Sequence, residues 1–249
     1  MTTTRWLRRP QPRPAAALRL LCLPHAGGSA GLYRPWAALL PPDVELLAAC
    51  PPGRADRLHE PLPDDLPTLV AELAAAVAPL LDRPWAVFGH SMGATVGHEL
   101  ILHLMRRGHR PPVHLFASAR EAPQFHHGGT VHLLDDDALC AELTRLGGTN
   151  ADLLAIPELR ALALPAVRGD YRLIETYTDL PWAQLPCPVA AFIGTDDHEL
   201  TPEEAAGWAD WTDAGFELQS FPGGHFYLSD QPAAVISAVL DRLRAPADR

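Results

Sequence analysis

Apolar residues fall into two rhythms along the first half of this chain. Short, largely apolar runs, Leu18–Leu23, Val44–Ala49 and residues 85–88, end at Pro24 with a glycine pair beyond it, at Pro51-Pro52-Gly53, and at Gly89. Runs of this length, bounded by turn residues, read as buried strands. Between them, apolar positions recur at helical spacing. Residues 66, 69, 70, 73, 77, 80 and 81 share one face of a helix over 66–81, in an alanine-rich stretch. A modest helix is expected over 31–40, another over 94–107 closed by Gly108, and a further strand over 113–117. Strands alternating with helices predict a parallel sheet covered by helices, with its chemistry at the carboxyl ends of the strands.

The rhythm breaks between about residue 121 and residue 185, where no strand-like run occurs. Leu133, Leu134, Leu139, Leu143 and Leu146 predict one helix, closed by Gly147-Gly148. Residues 153–166 predict a second helix and residues 170–177 a third. A helical insertion of this length between two sheet strands reads as a lid over the active face. The sheet resumes over 188–193, followed by a helix over 202–214, a strand at Phe216–Phe221 and a terminal helix over 231–244. Residues 1–14, rich in arginine and proline, read as a flexible arm, which leaves residues 15–249 as one α/β domain. Arg8-Arg9 is not followed by the apolar core and cleavage site of a twin-arginine leader. No run approaches the roughly 20 apolar residues of a membrane span. The chain is expected to be a cytoplasmic monomer.

Composition narrows the partners. At 249 residues and 47% hydrophobic, the chain can bury a large core. Its 20 basic and 30 acidic residues give a net charge of −10, which argues against nucleic acid as a partner. The four cysteines, Cys22, Cys50, Cys140 and Cys187, are far apart and read as reduced thiols. His126, His127 and His132 stand near Asp135-Asp136-Asp137, but no His-Glu-x-x-His spacing accompanies them, so no metal is expected.

The candidate chemistry lies at Gly89-His90-Ser91-Met92-Gly93. A strand before and a helix after this Gly-x-Ser-x-Gly block are the context of a nucleophile elbow, a turn so sharp that the serine is strained and its hydroxyl stands at the tip. Gly89 and Gly93 fit where a Cβ would strike neighbouring backbone. A serine needs a base, and the base an orienting acid. In elbow enzymes these follow in the order acid, then histidine. Gly194-Thr195-Asp196-Asp197 ends the strand over 188–193, and Pro222-Gly223-Gly224-His225 follows the last strand. Asp196 and Asp197 cannot both point at one imidazole. Asp197 is favoured as the acid, with Asp196 shaping the loop, on triad geometry together with the resemblance given below. An oxyanion hole needs two N–H donors. Met92 supplies one, and the loop Pro24-His25-Ala26-Gly27-Gly28 the other, assigned to Ala26. His25 and His90 flank the site, as partners in structural hydrogen bonds or as electrostatic tuners.

With these residues in place the chain resembles the stand-alone type II thioesterases of polyketide and nonribosomal peptide synthesis. The matching blocks are residues 23–30, Pro52-Gly53-Arg54, residues 89–94, Arg168-Gly169-Asp170-Tyr171 and its continuation to Tyr177, residues 194–197, and residues 223–228. The His-Ala-Gly-Gly block and the Asp-Tyr-Arg block in the insertion are the discriminating ones. The resemblance covers residues 18–245 and implies an α/β-hydrolase fold with a helical lid. It implies hydrolysis of acyl thioesters on the phosphopantetheine arm of acyl or peptidyl carrier proteins, clearing misprimed or stalled acyl groups. It carries over Ser91 as nucleophile, His225 as base and Asp197 as acid, with no metal or nucleotide cofactor.

Carrier proteins tend to be acidic, as this chain is, so long-range steering would oppose their association. A basic patch of Arg54, Arg57, Arg168 and Arg172 would offset this; internal salt bridges are the alternative use of the same side chains. Three other activities suit the same residues. A small-molecule carboxylesterase and an acyltransferase or cyclase would share the triad. A non-catalytic carrier-binding module would share only the fold.

Overall fold

The structure, a computed structural model, describes residues 5–147, 154–178 and 183–244. Seven strands form one sheet: β1 (Leu7–Arg8), β2 (Leu18–Leu23), β3 (Val44–Ala49), β4 (Trp85–His90), β5 (Leu115–Ser118), β6 (Val189–Gly194) and β7 (Phe216–Phe221). Their order across the sheet is β1-β3-β2-β4-β5-β6-β7. Every pairing is parallel except β1 with β3. The elbow strand β4 therefore lies at the centre, between β2 and β5.

The central strands are buried on both faces, as the lack of polar alternation in their sequences requires. Their side chains still sort by parity. Leu21, Leu23, Leu47, Val87 and Leu115 join the core under α2 (Leu66–Val77) and α3 (Met92–Arg106). Leu20, Leu46, Phe88 and Phe116 join the core on the other face, with Trp36, Val235 and Val239. Trp36 belongs to the short helix α1 (Trp36–Leu39), and the two valines to a terminal helix, residues 232–244. Local capping fixes several starts. Asp65 accepts the Thr68 N–H at the head of α2, and Asp135 accepts the Ala138 N–H at the head of α4 (Asp136–Leu146).

The connection from β5 to β6, residues 119–188, holds the expected helical insertion. Among the described residues its α-helices are α4 and α5 (Pro157–Glu175). Two expectations merge here, because α5 runs unbroken where residues 153–166 and 170–177 were read as separate helices. Gly169, which falls in the gap between those two ranges, marks a close approach: a Cβ there would lie 2.3 Å from Leu62 Cδ1. Beyond β6, the helix expected over 202–214 ends early, as α6 (Pro202–Ala206) followed by a tighter 3₁₀ turn over Gly207–Trp211. The helix expected over 31–40 is likewise divided, into a 3₁₀ turn at Ala30–Tyr33 and α1, with Pro35 between them.

The largest correction concerns the amino terminus. Residues 5–14 do not form a free arm. Leu7 and Arg8 pair with Ala49 and Ala48 at the sheet edge, and Trp6 is buried with the Arg57 guanidinium 4.4 Å from its ring. Glu45 explains the anchoring. Its buried carboxylate accepts from Arg9 Nε at 2.9 Å, the Arg13 N–H at 2.9 Å and Arg19 Nε at 3.1 Å. The arginines that read as solvated thus converge on one acid in β3.

Among the described residues no helix is long and apolar enough to cross a membrane. All four cysteines are free, and burial pushes the Cys187 thiol up to about 12.

Replacing Glu45 by alanine removes the acceptor of the buried Arg19 Nε and leaves that guanidinium only Asp82 and the Leu80 carbonyl. Glu45→Ala is expected to lower unfolding free energy by about 3 kcal/mol and to make residues 5–14 cleavable by protease under native conditions. Urea unfolding and limited proteolysis check this; an unchanged cleavage pattern would show that the edge strand holds without Glu45.

Candidate active site

The site is built where β4 passes into α3. Ser91 stands between them at φ 53°, ψ −122°, a conformation costly for a residue with a side chain. Two glycines make the turn feasible. A Cβ on Gly89 would lie 2.2 Å from the Gly93 carbonyl oxygen, and one on Gly93 would lie 2.2 Å from that of Leu23. The Ser91 N–H donates to the Ser118 carbonyl at 2.7 Å, which ties the turn to β5.

Asp197 and His225 arrive from the ends of β6 and β7. A Cβ on Gly194 would meet the carbonyl oxygens of Gly223 and Gly224 at 2.4 and 2.3 Å, so this glycine lets the histidine loop lie against the end of β6. The Asp196 N–H donates to the Gly223 carbonyl at 2.9 Å and draws the two loops together. Of the two aspartates, Asp197 faces the imidazole: His225 Nδ1 lies 2.9 Å from Asp197 Oδ2. The Asp197 side chain is fully buried, and its other oxygen accepts the Glu199 N–H at 2.9 Å. Asp196 is exposed. An ionised carboxylate only accepts, so in this bond Nδ1 is the donor.

Ser91 and His225 line one chamber together with His25, Ala26, Met92 and Phe226. Among the described residues Ser91 makes no hydrogen bond to His225. The insertion closes the far side of the chamber with Leu143, Leu146, Tyr171 and Ile174, beside Arg120 from the loop after β5. Arg120 was not foreseen, since nothing local in the sequence marks it. Its Nε donates to Thr95 Oγ1 at 3.0 Å, and it pairs with Glu121. No described group accepts the backbone N–H of Ala26 or Met92.

Two histidines beside the site, His25 and His90, are held neutral by burial. His90 is fully buried and hydrogen-bonded through Nδ1 to Ser118 Oγ at 2.9 Å, which in turn meets Tyr227 Oη at 2.6 Å. Burial pushes its pKa well down, with His225 and His25 adding to the effect. His25 stands edge-on to Phe226, ring centres 4.7 Å apart, and its buried Nδ1 has no partner. Burial, then the neighbouring His225 and Arg54, lowers its pKa to about 3.

The arginines set aside as an entrance patch are mostly spent internally. Arg54 pairs with Asp170, Arg57 with Glu60, and Arg168 with Asp136. Arg54 and Arg57 are buried, and of the four only Arg172 is exposed. His126 and His132 are similarly engaged, with Glu121 and Glu175. Among the described residues no group of three His, Cys, Asp or Glu is placed to hold a metal.

A strained serine at the carboxyl end of a central parallel strand, with later strands bringing an Asp–His pair to the same chamber, is the architecture of the α/β-hydrolases. Comparison with known proteins narrows the class. The model of the thioesterase domain family matches residues 18–243. A probable cadicidin biosynthesis thioesterase of Streptomyces griseus is 44% identical over 97% of this chain and 67% of its own length. Thioesterase PikA5 of Streptomyces venezuelae is 42% identical over 96% of this chain and 85% of its own. The solved structure of BorB, a type II thioesterase from the borrelidin biosynthetic cluster, superposes with a TM-score of 0.90 at 43% identity, covering 98% of this chain and 100% of that one. The chain belongs to the thioesterase domain family and is a hydrolase that acts on thioesters.

The depressed pKa of His25 has a definite sign. Its folded value, about 3, lies below the ordinary imidazole value of 6.5, so the unfolded chain takes up the proton first. His25 therefore costs no stability above about pH 6.5 and a growing amount as pH falls towards 3. In a histidine NMR titration its ring is expected to keep neutral shifts from pH 8 to pH 4.5. A midpoint near 6 would show that the ring is solvated.

Proposed function

We propose that this thioesterase removes acyl groups from the phosphopantetheine arms of acyl or peptidyl carrier proteins, by way of an acyl-serine. The observation that carries the reading is the His225–Asp197 hydrogen bond at 2.9 Å, set in the chamber that holds the strained Ser91. His225 Nε2 takes the Ser91 proton as the hydroxyl oxygen attacks the thioester carbonyl. The Ala26 and Met92 N–H groups receive the oxyanion. The carbon–sulfur bond breaks, and the imidazolium returns its proton to the departing thiolate. His225 then draws a proton from water as it attacks the acyl-serine, and returns that proton to the Ser91 oxygen as the ester bond breaks and the free acid leaves. The phosphopantetheine belongs to the partner, so the enzyme needs no cofactor of its own.

The likeness to thioesterases of polyketide and nonribosomal peptide pathways supports carrier-bound substrates and an editing role, the clearing of misprimed or stalled acyl groups. With Arg54, Arg57 and Arg168 paired internally, an acidic carrier finds little steering from them. Recognition then rests on contact at close range.

Intact-mass analysis of acylated carrier proteins tests the reading. The native enzyme is expected to remove the acyl mass and release a free acid, and Ser91→Ala to remove none. Asp197→Asn is expected to lower kcat on the order of 10³–10⁴-fold by permitting the wrong imidazole tautomer, whereas Asp196→Asn stays within about threefold of native. No acyl loss from any carrier, with rapid cleavage of small free esters, would make the protein a carboxylesterase; an ester or lactone product would make it an acyltransferase or cyclase.

A further inference from the structure

The oxyanion loop has a mechanical problem. Ala26 sits in a four-residue turn with glycine at the next two positions, and such a turn does not hold a fixed shape unaided. The Gly28 N–H donates to the His25 carbonyl at 2.9 Å, and Gly27 takes φ 77°, as the third residue of a type II turn requires. The peptide joining His25 to Ala26 is planar and trans, so its C=O and N–H point in opposite directions. Holding the His25 carbonyl therefore aims the Ala26 N–H. Whatever fixes the turn fixes the donor.

Two side chains far along the chain grip this turn from both sides. The Gly27 N–H donates to Asp170 Oδ2 at 2.7 Å. Arg54 Nη1 donates to the Gly28 carbonyl at 2.8 Å and to Asp170 Oδ2 at 2.6 Å, while Nη2 donates to Asp170 Oδ1 at 2.9 Å. Arg54 is itself oriented by its Nε, which donates to the Pro52 carbonyl at 3.0 Å. Asp170 is 1% exposed and Arg54 6% exposed, so water does not compete for these bonds. Asp170 belongs to α5, and α5 lies directly on the turn: a Cβ on Gly27 would stand 2.5 Å from Val167 Cγ2.

We infer that Arg54 and Asp170 are a positioning pair through which the helical insertion sets the oxyanion loop, so that the Ala26 N–H is aimed at the reacting carbonyl only while α5 is seated. The inference rests on the hydrolase chemistry proposed above, but on no assumption about the carrier. Neither residue lines the chamber that holds Ser91 and His225, so the pair does not touch the reacting atoms and acts on the donor through the turn. A buried, bidentate ion pair is not needed for stability alone, since apolar residues of similar volume often serve as well. What apolar residues cannot do is accept the Gly27 N–H and donate to the Gly28 carbonyl at once.

The variants Arg54→Lys and Asp170→Asn keep charge or shape while breaking the fork, and Asp170→Ala removes it. Arg168→Ala, on the same helix but paired with Asp136 and turned away from the loop, is the control. Acylation is followed with a p-nitrophenyl ester, and transition-state binding with an acyl trifluoromethyl ketone, whose adduct with serine carries an oxyanion. Arg54→Lys and Asp170→Asn are expected to lose roughly 10²-fold in kcat, with KM within about threefold of native and the ketone bound weaker by a similar factor. Arg168→Ala is expected to match native in all three. Folded Arg54→Lys and Asp170→Asn with native kcat, or with a raised KM alone, would overturn the pair's role. Should Asp170→Ala fail to fold, the two conservative variants still decide. Failure of the native enzyme on carrier-bound thioesters would sink the proposed substrate and leave this ester-based comparison standing.

Discussion

The site depends on one close approach of backbone to backbone. At the head of α3, Gly93 lies so near the end of β2 that a Cβ would stand 2.2 Å from the Leu23 carbonyl oxygen and 2.8 Å from that of Pro24. That contact forces the sharp turn in which Ser91 is strained. It also brings the loop after β2 against the residue after the serine, so Ala26 and Met92 line the same chamber. The strained serine and the two N–H groups beside it are thus one geometric consequence, not two features separately arranged. The strain at Ser91 is the cost, and the central position of β4, buried and paired on both sides, supplies the rigidity that sustains it.

Around this contact the buried polar groups are sorted by kind. Close to the serine stand histidines held neutral by burial, His25 and His90, which add no charge beside His225. Farther out stand ionic pairs that join segments distant in sequence. Glu45 gathers Arg9, Arg13 and Arg19 to fasten the edge strand, and Asp170 and Arg54 fasten α5 to the turn after β2. Unpaired, any of these ions would be costly to bury. Each therefore works as a register mark, satisfied in one arrangement of the chain and in no other.

What could be read from the sequence follows from how local its cause is. The elbow was legible because strand, glycine spacing and helix lie within a dozen residues. Asp197 and His225 were legible because chain order and the strand ends they follow restrict where partners can come from. The amino-terminal segment was misread for the opposite reason. Arg9 and Arg13 look solvated until Glu45, more than 30 residues away, is seen to be buried among them. The choice between an entrance patch and internal pairing for Arg54 and Arg168 was likewise open in the sequence, because neither Asp170 nor Asp136 advertises its partner.

Glycine weakens a helix, and Gly169 falls in the gap between the two helices expected from the sequence. The structure keeps the helix and uses the missing side chain for contact with Leu62, in the segment that leads away from Arg54. The next residue, Asp170, then reaches Arg54 and Gly27. Close packing at one position and the ion pair at the next require the same placement of α5. Three separate sequence blocks, residues 23–30, Pro52-Gly53-Arg54 and the stretch from Arg168 to Tyr177, therefore meet at one junction. Their joint occurrence discriminates better than the elbow because a single three-dimensional constraint underlies all three, whereas Gly-x-Ser-x-Gly needs only a strand, a turn and a helix.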